Sequence, residues 1–471
     1  TMDPDKKEIY KYLGVEQADG LKTKEVFKRV KEEVTKRTQI LTKTELNDSN
    51  LIKAINAKVI PVAAYPMNVC KFTKQEIAEL DQVIKRELRN NNQLGRQSSD
   101  ERLYLKRDAG GRGLKSIRDV YFETRLRVAC YMSMSDDEWI KTAWRKEILK
   151  ENNSLKEEAV MVMQTAGRQL DFLENVIILD GNRIDHDWKT NWKLIKGSLK
   201  EGVEEKRKEM YTEKEMQSEV FRKQDAQCNL WLEQKLSPKK TASIISMLEQ
   251  MVETKSWKFN RGLVENNKCR LCGEYKETVE HLLAGCKILA NSDYLSRHNR
   301  ALMVFAVAWS KEHKLLGEEA KWYEERWCRG HILENEFAKL SWDFEFNLRK
   351  TTTSRRPDLI LEDKKSKSIW ICDMACPQQN NIETNRNEKQ TKYRQLAFEL
   401  RERRARYTIK VTPIVICALG GGVKETKRQI NLIFEKDELS EKVVGEMQKT
   451  ILMDSETLIR KVLSGLIQSN I

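Results

Sequence analysis

The chain has 471 residues, enough for about three domains of ~150 residues each. Lysine and arginine number 86 against 72 aspartate and glutamate, so the formal net charge is +14, which favours a polyanionic partner. Hydrophobic residues make up 39% of the chain and include 11 Trp, 12 Tyr and 12 Phe, too many for a disordered basic tail. The composition therefore predicts a basic surface carried on folded domains.

The hydropathy of the sequence predicts no membrane partner. No segment approaches the ~20 uncharged apolar residues that a membrane span needs, and residues 1–7 lack the apolar centre of a secretory signal. We therefore expect an intracellular protein whose ten cysteines are reduced. In a reducing compartment, clustered cysteines favour metal ligation over disulfides.

Helical periodicity predicts a small helical unit in the N-terminal part of the chain. The predicted helices span residues 21–42, 50–64, 73–90 and, after a glycine-rich turn at 110–113, residues 115–132. Apolar residues recur on one face of these segments, with charged residues between them. In the segment 73–90 the apolar face consists of Ile77, Leu80, Val83, Ile84 and Leu88.

Asp136 and Asp137 form a pair that resembles the catalytic aspartates of a polymerase palm. Palm aspartates belong on a tight hairpin between strands, whereas these two precede a helical pattern. We therefore interpret them as a helix N-cap with acidic residues nearby, and not as a polymerase site.

Beyond this helical unit, charge density and then alternation define two further regions. Residues 140–260 are charge-dense and lack strand-like alternation, which predicts long solvated helices that act as a connector. From about residue 341 the pattern changes to short strands. The predicted strands cover 342–346, 358–363, 368–377 and 407–421, with a helix at 383–405 before the last strand and a final helix at 438–468.

Four potential metal ligands follow the spacing C-x2-C-x8-H-x4-C. Two residues separate Cys269 from Cys272 in a turn that ends on Gly273, and His281 and Cys286 lie on and after a short helix. Three thiolates and one imidazole fill a tetrahedral site with no open position, which predicts structural rather than catalytic Zn²⁺. The alternative is a pair of buried cysteines beside an unrelated helix, but the four ligand types at this spacing favour zinc.

A second constellation has the residue types of a phosphodiesterase. Asp358 begins one predicted strand and Asp373 ends the next, so a hairpin could bring both to one end of a sheet. Carboxylates there could hold Mg²⁺, and Lys389 or Lys392 on the following helix could supply the cation that phosphodiester hydrolysis needs. On spacing alone, two surface aspartates beside a solvated helix explain these residues better, because such sets occur by chance in a charged chain.

A basic stripe follows this constellation. It consists of Arg401, Arg403, Arg404 and Arg406. We expect it close to the Asp358 and Asp373 end of the sheet, where phosphate contacts would be useful. A solvated helix face is an equally good interpretation of the stripe.

Several segments together identify a family resemblance. They are KYLG (11–14), SSDERLYLKRDAGGRGLKSI (98–117), KCRLCGEYKETVEHLLAGC (268–286), YLSRHN (294–299), RRPDLILEDKKSKSIWICDMACP (355–377), EKQTKYRQL (388–396) and TPIVICALGG (412–421). In this order they resemble the C-terminal part of the open reading frame protein of non-LTR retrotransposons that carry a restriction-like endonuclease. The resemblance weakens between residues 130 and 255.

The resemblance implies a multidomain α plus α/β protein. The expected domains are the end of the palm and a helical reverse-transcriptase thumb at 1–130, a helical linker at 131–260, a CCHC zinc knuckle at 261–300, a restriction-like endonuclease with a PD-(D/E)xK-type α/β core at 301–435, and a C-terminal helix at 436–471. The zinc ligands would be Cys269, Cys272, His281 and Cys286.

The resemblance also implies roles for residues of the nuclease core. Asp358 and Asp373 would bind catalytic Mg²⁺, and Lys389 or Lys392 would complete the site. The lysine is displaced onto the helix, because Ala375 occupies the usual position two residues after Asp373. We further assign nucleic-acid binding to Arg356, Tyr393, Arg401, Arg404 and Arg406.

The implied function is Mg²⁺-dependent nicking of target DNA, so that the exposed 3′ hydroxyl primes reverse transcription of the element RNA. DNA and element RNA would be the partners, and the location would be nuclear. The palm aspartates are not among these residues, so the segment alone is not expected to polymerise. It could be part of a longer element protein, a truncated copy or a host gene derived from one. The alternative function is a non-catalytic nucleic-acid-binding protein that uses the knuckle and the thumb.

Overall fold

A computed structural model describes residues 10–12, 15–18, 20–150, 154–173, 176–224, 226–347 and 354–467. Leu13 and Gly14 of the KYLG segment, and residues 468–471 of the expected C-terminal helix, lie outside this set. The chain divides into two compact units. The first comprises Thr1–Lys214 with Lys235–Ala242, and the second comprises Glu215–Gln234 with Ser243–Ile471.

The first unit is mainly helical, with two small antiparallel sheets. Its first sheet consists of β1 (Tyr10–Tyr12), β2 (Val15–Ala18) and β3 (Gly20–Leu21). The helices that follow are α1 (Thr23–Thr42), α2 (Asp48–Lys58), α3 (Ile60–Ala64), α4 (Lys74–Asn90), α5 (Asp100–Tyr104), α6 (Ile117–Ser133), α7 (Glu138–Ile148) and α8 (Leu155–Thr165). The second sheet is β4 (Leu170–Leu173), β5 (Val176–Leu179) and β6 (Asn182–Ile184), followed by α9 (Trp188–Thr212).

Helix α4 shows how the local sequence sets these elements. Thr73 and Glu76 form a reciprocal capping box at its start, which satisfies backbone N–H groups that have no helical partner. The whole predicted apolar face is buried, and it packs with Val26, Val30 and Val34 of α1. The predicted N-cap is likewise confirmed, because Asp137 accepts hydrogen bonds from the backbone N–H groups of Trp139 and Ile140 at the start of α7.

The segment 98–117 is tied into the interior of the first unit. Arg112 and Asp48 are both almost fully buried and form an ion pair, to which Arg107 adds a 2.9 Å contact. A Cβ on Gly111 would lie 2.1 Å from the carbonyl oxygen of Leu105, so only glycine fits this turn. Arg107 and Arg112 of this segment therefore stabilise the scaffold and are not part of a free basic surface.

The stretch predicted as a purely helical linker differs from that prediction. The sheet β4–β5–β6 lies within it, and Phe172 and Ile177 of this sheet pack in one core with Ala159 and Ile195 of the neighbouring helices. The strands escaped the sequence reasoning because they are only three or four residues long and lie between charged helices.

The second unit combines helices with one five-stranded sheet. Its helices and strands are α10 (Glu215–Lys223), the end of α11 (Pro238–Leu248), α12 (Lys255–Phe259), α13 (Val279–Ala284), α14 (Leu295–Glu312), β7 (Ile332–Glu334), β8 (Ala338–Trp342), β9 (Leu359–Asp363), β10 (Ser368–Ala375), α15 (Ile382–Lys392), α16 (Arg394–Arg403), β11 (Thr408–Val415), α17 (Val423–Ile430) and α18 (Asp437–Leu463). The strand order is β11-β10-β9-β8-β7. Strands β10 and β11 are parallel, and the other pairs are antiparallel.

Alternation along β10 explains why helices cover both faces of this sheet. Trp370, Cys372 and Met374 belong to the large core that contains α14 and α18. Ile369 and Ile371 point the other way and pack against Tyr393, Leu396 and Leu400 at and after the junction of α15 and α16. Successive side chains of a strand point to opposite faces, so alternate residues of β10 pack into the two cores on opposite sides of the sheet.

Several predicted elements differ from the structure in their bounds. The strand predicted at 407–421 ends at Val415, and the helix predicted at 50–64 is divided at Val59 into α2 and α3. The strand predicted at 342–346 lies at Ala338–Trp342, and Asp343, with φ of +49°, follows its end. The helix predicted at 383–405 is divided at Tyr393 into α15 and α16. The break turns the Tyr393 ring into the core, where its side chain is fully buried.

Candidate functional site

The four predicted zinc ligands converge in the second unit. One ligand atom from each of Cys269, Cys272, His281 and Cys286 lies within 4.8 Å of all the others. The Cys272 Sγ is 3.4 Å from Nε2 of His281. Zn–S bonds of about 2.3 Å and Zn–N bonds of about 2.0 Å place tetrahedral ligand atoms about 3.5 to 4 Å apart. The cluster therefore fits one Zn²⁺ with a small contraction.

Local hydrogen bonds shape the turn that carries the two cysteines. The N–H of Leu271 donates to Sγ of Cys269 at 3.4 Å, and the N–H of Gly273 donates to the carbonyl of Cys269 at 2.9 Å. Gly273 has φ of +70°, a conformation that side-chain-bearing residues rarely adopt. The turn thus directs both sulfurs to one side.

Burial and neighbouring groups shift the pKa values of the ligand side chains. Burial and the neighbouring thiols of Cys269 and Cys272 raise the pKa of Cys286 to about 12. Burial also lowers the pKa of His281, which keeps the imidazole neutral and able to ligate metal. Burial opposes ionisation of Cys272, but the N–H groups of Tyr275 and Glu274 outweigh it and lower the pKa of that thiol.

An ion pair between Arg270 and buried Glu277 stabilises the turn that carries the two cysteines. Glu277 is fully buried and accepts hydrogen bonds from the backbone N–H, Nε and Nη2 of Arg270 at 2.8, 2.9 and 2.8 Å. The same carboxylate accepts the N–H of Lys255 at 2.8 Å. Arg270 Nη1 also donates to the carbonyl of Val462 near the end of α18, at 3.3 Å. The cluster is therefore anchored to α12 and α18 rather than isolated on a loop.

The segment after Cys286 links the cluster to α14. The hydroxyl of Tyr294 accepts the N–H of Cys286 at 3.0 Å and donates toward the carbonyl of Leu282 at 2.9 Å. Buried Arg297 donates to the carbonyl of Leu283 at 2.6 Å. These contacts fix the start of α14, and the next residue, His298, points toward the sheet.

The sheet register brings the two predicted carboxylates together. The β9–β10 ladder ends where Cys372 pairs with Leu359. Asp358 directly precedes Leu359 and Asp373 directly follows Cys372, so both aspartates lie at the same end of the sheet. The N–H of Met374 donates to Oδ2 of Asp358 at 2.6 Å, which ties Asp358 to the end of β10.

Lys389 and Tyr393 both contact Asp373. The Lys389 ammonium pairs with Oδ2 of Asp373, and the Tyr393 hydroxyl donates to Oδ1 at 2.8 Å. They are four residues apart, so they share one side of the helical path. Lys392 Nζ is farther from Oδ2 of Asp373, at 3.8 Å, and its side chain is more exposed. Of the two candidate lysines, Lys389 is therefore the closer.

His298 is a neighbour of this site that the sequence reasoning did not assign. Its Nε2 lies 3.1 Å from Oδ2 of Asp358 and 3.2 Å from the carbonyl oxygen of Met374. Burial opposes protonation, but the Asp358 carboxylate outweighs it and raises the pKa of His298. Although burial alone would raise the pKa of Asp358, the contact with His298 lowers it. His298 lies in the segment YLSRHN, which was part of the family resemblance. The sequence separation between His298 and Asp358 gave no indication that the two residues are in contact.

The arginine stripe does not lie beside these carboxylates. Arg401 donates to the carbonyl of Ile409 at 3.0 Å, and Arg404 lies 3.8 Å from Glu362. Ile409 and Glu362 both pair with Ile369, four residues from Asp373 on β10, or about 13 Å along a strand. A helix that connects two parallel strands must return to the end where the second strand starts, which places the stripe, with exposed Arg406, at the opposite end of the sheet.

Tyr393 and Arg356 were both assigned to nucleic-acid binding, but their positions in the structure differ from those of simple surface contacts. The Tyr393 side chain is fully buried, so it has no surface to stack on a base, and its hydroxyl orients Asp373 instead. Arg356 is exposed and pairs with Asp343. Its carbonyl lies 3.1 Å from the Tyr393 hydroxyl, so Arg356 is next to the carboxylate site.

The comparisons with known proteins concern the zinc cluster. Residues 206–292 match the family described as zinc-binding in reverse transcriptase. The match includes all four ligands and begins within α9, well before the predicted knuckle boundary at residue 261. No curated protein matches the chain. Within the described residues, none of the helices combines the length and apolar composition needed to cross a bilayer. The chain therefore carries a reverse-transcriptase-associated zinc-binding domain, and this domain supports a relationship to retroelement proteins.

Proposed function

We propose that the second unit is a Mg²⁺-dependent DNA endonuclease of the restriction-like type. The observation that carries the proposal is that Asp358, just before β9, and Asp373 of β10 lie at the same end of the sheet, with Lys389 paired to Asp373. The family match around the neighbouring zinc cluster supports a retroelement setting. In that setting the enzyme would nick target DNA so that the new 3′ end primes reverse transcription.

The donor chemistry at this end of the sheet suits Mg²⁺. Mg²⁺ prefers hard oxygen ligands, and Asp358 and Asp373 offer carboxylate oxygens from adjacent strands. The Lys389 ammonium forms an ion pair with one of these oxygens, Oδ2 of Asp373, which indicates that the site attracts a cation. Bound Mg²⁺ would supply Lewis-acid stabilisation of the negative charge that develops on the phosphodiester.

Neighbouring side chains and one backbone N–H would hold the two carboxylates in position. The Tyr393 hydroxyl fixes Oδ1 of Asp373, which is almost fully buried. His298 and the N–H of Met374 fix Oδ2 of Asp358. Lys389 would turn its N–H donors from Asp373 to the phosphate and stabilise the charge on the departing oxygen. Donors directed at the charge that develops in the transition state lower the barrier.

The first unit and the zinc cluster would bind nucleic acid. We propose that element RNA and target DNA are the partners, that the first unit is the thumb of a reverse transcriptase, and that the protein acts in the nucleus. The net charge of +14 supports a polyanionic partner.

A second candidate function is non-catalytic nucleic-acid binding by a relic or domesticated protein. One observation favours it: both oxygens of Asp373 already have protein partners, Lys389 and Tyr393. A carboxylate satisfied in this way is stable without metal. The two functions differ in whether Mg²⁺ produces strand breaks.

A supercoiled-plasmid nicking assay on the purified chain with added Mg²⁺ tests the proposal. We expect open-circular product from the wild type and none from Asp373→Ala, while DNA affinity of the variant stays within about twofold, because the change removes a metal ligand and no phosphate contact. Asp136→Ala is the matched control, since Asp136 is exposed and outside the site. Nicking by Asp373→Ala at the wild-type rate would refute the site, and a wild type that binds DNA without nicking would establish the second function.

A further inference from the structure

A basic cavity opens in the second unit, beside the proposed nuclease site. Its volume is about 660 Å³. It is lined by residues of α10, of the start of α15 and of α17. Six lining side chains are cationic and two are acidic, Glu383 and Glu425. The cationic residues are Arg222, Lys223, Arg386, Lys424, Lys427 and Arg428.

The cavity and the carboxylates lie at the same end of the sheet. Strands β10 and β11 are parallel, and Asp373 pairs with Pro413, two residues before the end of β11. The chain then turns through Gly420–Gly422 into α17, which lines the cavity. A Cβ on Gly422, which has φ of +87°, would lie 2.6 Å from the carbonyl oxygen of Val415, so this glycine allows α17 to start close to the strand end.

Helix α15 connects the cavity to the carboxylate site. Arg386 lines the cavity, and Lys389, three residues later, contacts Asp373. Residues three apart share a helical face and are separated by about 4.5 Å along the axis. Phosphates of a nucleic-acid strand are about 6 to 7 Å apart, so a strand whose phosphate reaches Lys389 has its neighbouring phosphates within reach of Arg386.

The acidic neighbours of the cavity only partly offset its charge. Arg428 Nη2 pairs with Glu425 at 2.8 Å, Lys223 pairs with Glu219 at 2.7 Å, Lys427 pairs with Glu441, and Nη1 of Arg386 pairs with Glu383. Nη2 of Arg386, however, is buried and has no hydrogen-bond partner among the described residues. A buried guanidinium donor without an acceptor is costly, and an anion would satisfy it.

Helix α17 adds a second attraction for anions. Its N-cap is Gly422, and no described side chain caps its first turn. The first N–H groups of a helix and its dipole both favour a negative charge. Gly422 and Lys424, at this end of the helix, line the cavity.

We propose that this cavity binds backbone phosphates of the DNA strand that enters the Asp358 and Asp373 site. The inference rests on the proposed nuclease function for the identity of the strand. The cavity holds consecutive phosphates through Arg386, Lys424 and Arg428, and so sets which phosphodiester lies against Lys389. It carries no base-reading role, because cationic contacts to phosphate are independent of sequence.

Binding of a fluorescent DNA duplex to the full chain tests the cavity separately from catalysis. Affinity is measured across a salt series without added Mg²⁺ and without chelator, so that no cutting is needed and zinc stays bound. The test variant is Lys424→Ala with Arg428→Ala, since both side chains are exposed and their loss leaves the core intact. The control is Lys321→Ala with Lys365→Ala, two exposed lysines of the same unit that do not line the cavity.

We expect the cavity variant to lose affinity at least about tenfold and the slope of log affinity against log salt to fall by about 1.8, or about 0.9 for each lost phosphate contact. The control should keep the wild-type slope. Equal slopes for wild type and cavity variant would overturn the inference even if the wild type nicks DNA. A chain that never nicks, but whose slope falls only in the cavity variant, would refute the nuclease proposal and retain the phosphate site.

Discussion

Nε2 of His298 lies 3.1 Å from Oδ2 of Asp358, although sixty residues separate them in the chain. The residues just before His298 hold the zinc cluster through Tyr294 and Arg297. One short segment therefore contacts both the cluster and the proposed nuclease carboxylate. In the proposed nuclease, the second contact would orient Asp358, so His298 would be a positioning residue rather than a ligand.

Replacing His298 should weaken nicking without weakening DNA binding. We expect His298→Ala to lower the Mg²⁺-dependent nicking rate about 10- to 100-fold, because residues that orient metal ligands typically have effects of this size. His298→Gln should recover part of the rate, since its amide can still donate to Asp358. The measurement is the Mg²⁺ concentration that gives half-maximal nicking, which should rise in His298→Ala. An unchanged Mg²⁺ requirement would mean that His298 only fills space.

The two lysines of α15 should differ in importance. Lys389 contacts Asp373 and is largely buried, whereas Lys392 Nζ is 3.8 Å away and 43% exposed. We expect Lys389→Ala to lower the nicking rate about 100-fold or more and Lys392→Ala to change it only a few-fold, because catalytic proton transfer and charge stabilisation require direct contact. Rates are compared at saturating DNA. A larger loss in Lys392→Ala would exchange the two roles.

Zinc should be present and should support the fold of the second unit. We expect about one zinc per wild-type chain by elemental analysis, and little in Cys272→Ser, because structural sites need all four ligands. The same variant should lower the melting temperature, since metal-binding free energy contributes to folding. Cys328→Ser is the matched control, because Cys328 is an exposed cysteine of the same unit outside the cluster. Full zinc content in Cys272→Ser would contradict the ligand assignment.

The pH dependence of stability in the first unit should include a contribution from Asp81. This carboxylate accepts the N–H of Ile117 at 2.7 Å and the hydroxyl of Ser116 at 2.8 Å. Burial nevertheless dominates and raises its pKa above 3.8. A carboxyl whose folded pKa is raised binds its proton more tightly in the folded state, so its contribution to stability falls as the pH rises from 3.8 through the folded pKa.

Asp81→Asn should remove that part of the slope. We expect the free energy of unfolding of the wild type to decline more steeply between pH 4 and the folded pKa of Asp81 than that of Asp81→Asn, as measured by urea denaturation at each pH. Asp136→Asn, at an exposed carboxylate of the same unit, serves as the control. Parallel curves for wild type and Asp81→Asn would show that ionisation of Asp81 is not linked to folding.

Features set by neighbours in the chain followed from the sequence. The spacing of Cys269, Cys272, His281 and Cys286, the apolar face of α4 and the Asp137 cap all lie within stretches of about twenty residues or fewer. Helix periodicity and turn geometry act over such distances, so residue order is sufficient to determine them. In the five-stranded sheet, the strands predicted at 358–363 and 368–377 agree with β9 and β10 to within two residues. The strand predicted at 407–421 ends at Val415, and β7 was not predicted.

Relations between distant segments required the folded chain. The contact of His298 with Asp358, the burial of Tyr393 and the position of Arg401 and Arg404 at the far end of the sheet depend on strand register and on the path of α15 and α16. Register is fixed by packing on both faces of the sheet, and a crossover helix must return to the start of the next parallel strand. Residue spacing determines neither the strand register nor the path of the crossover helix. Both depend on the burial of side chains that come from many parts of the chain.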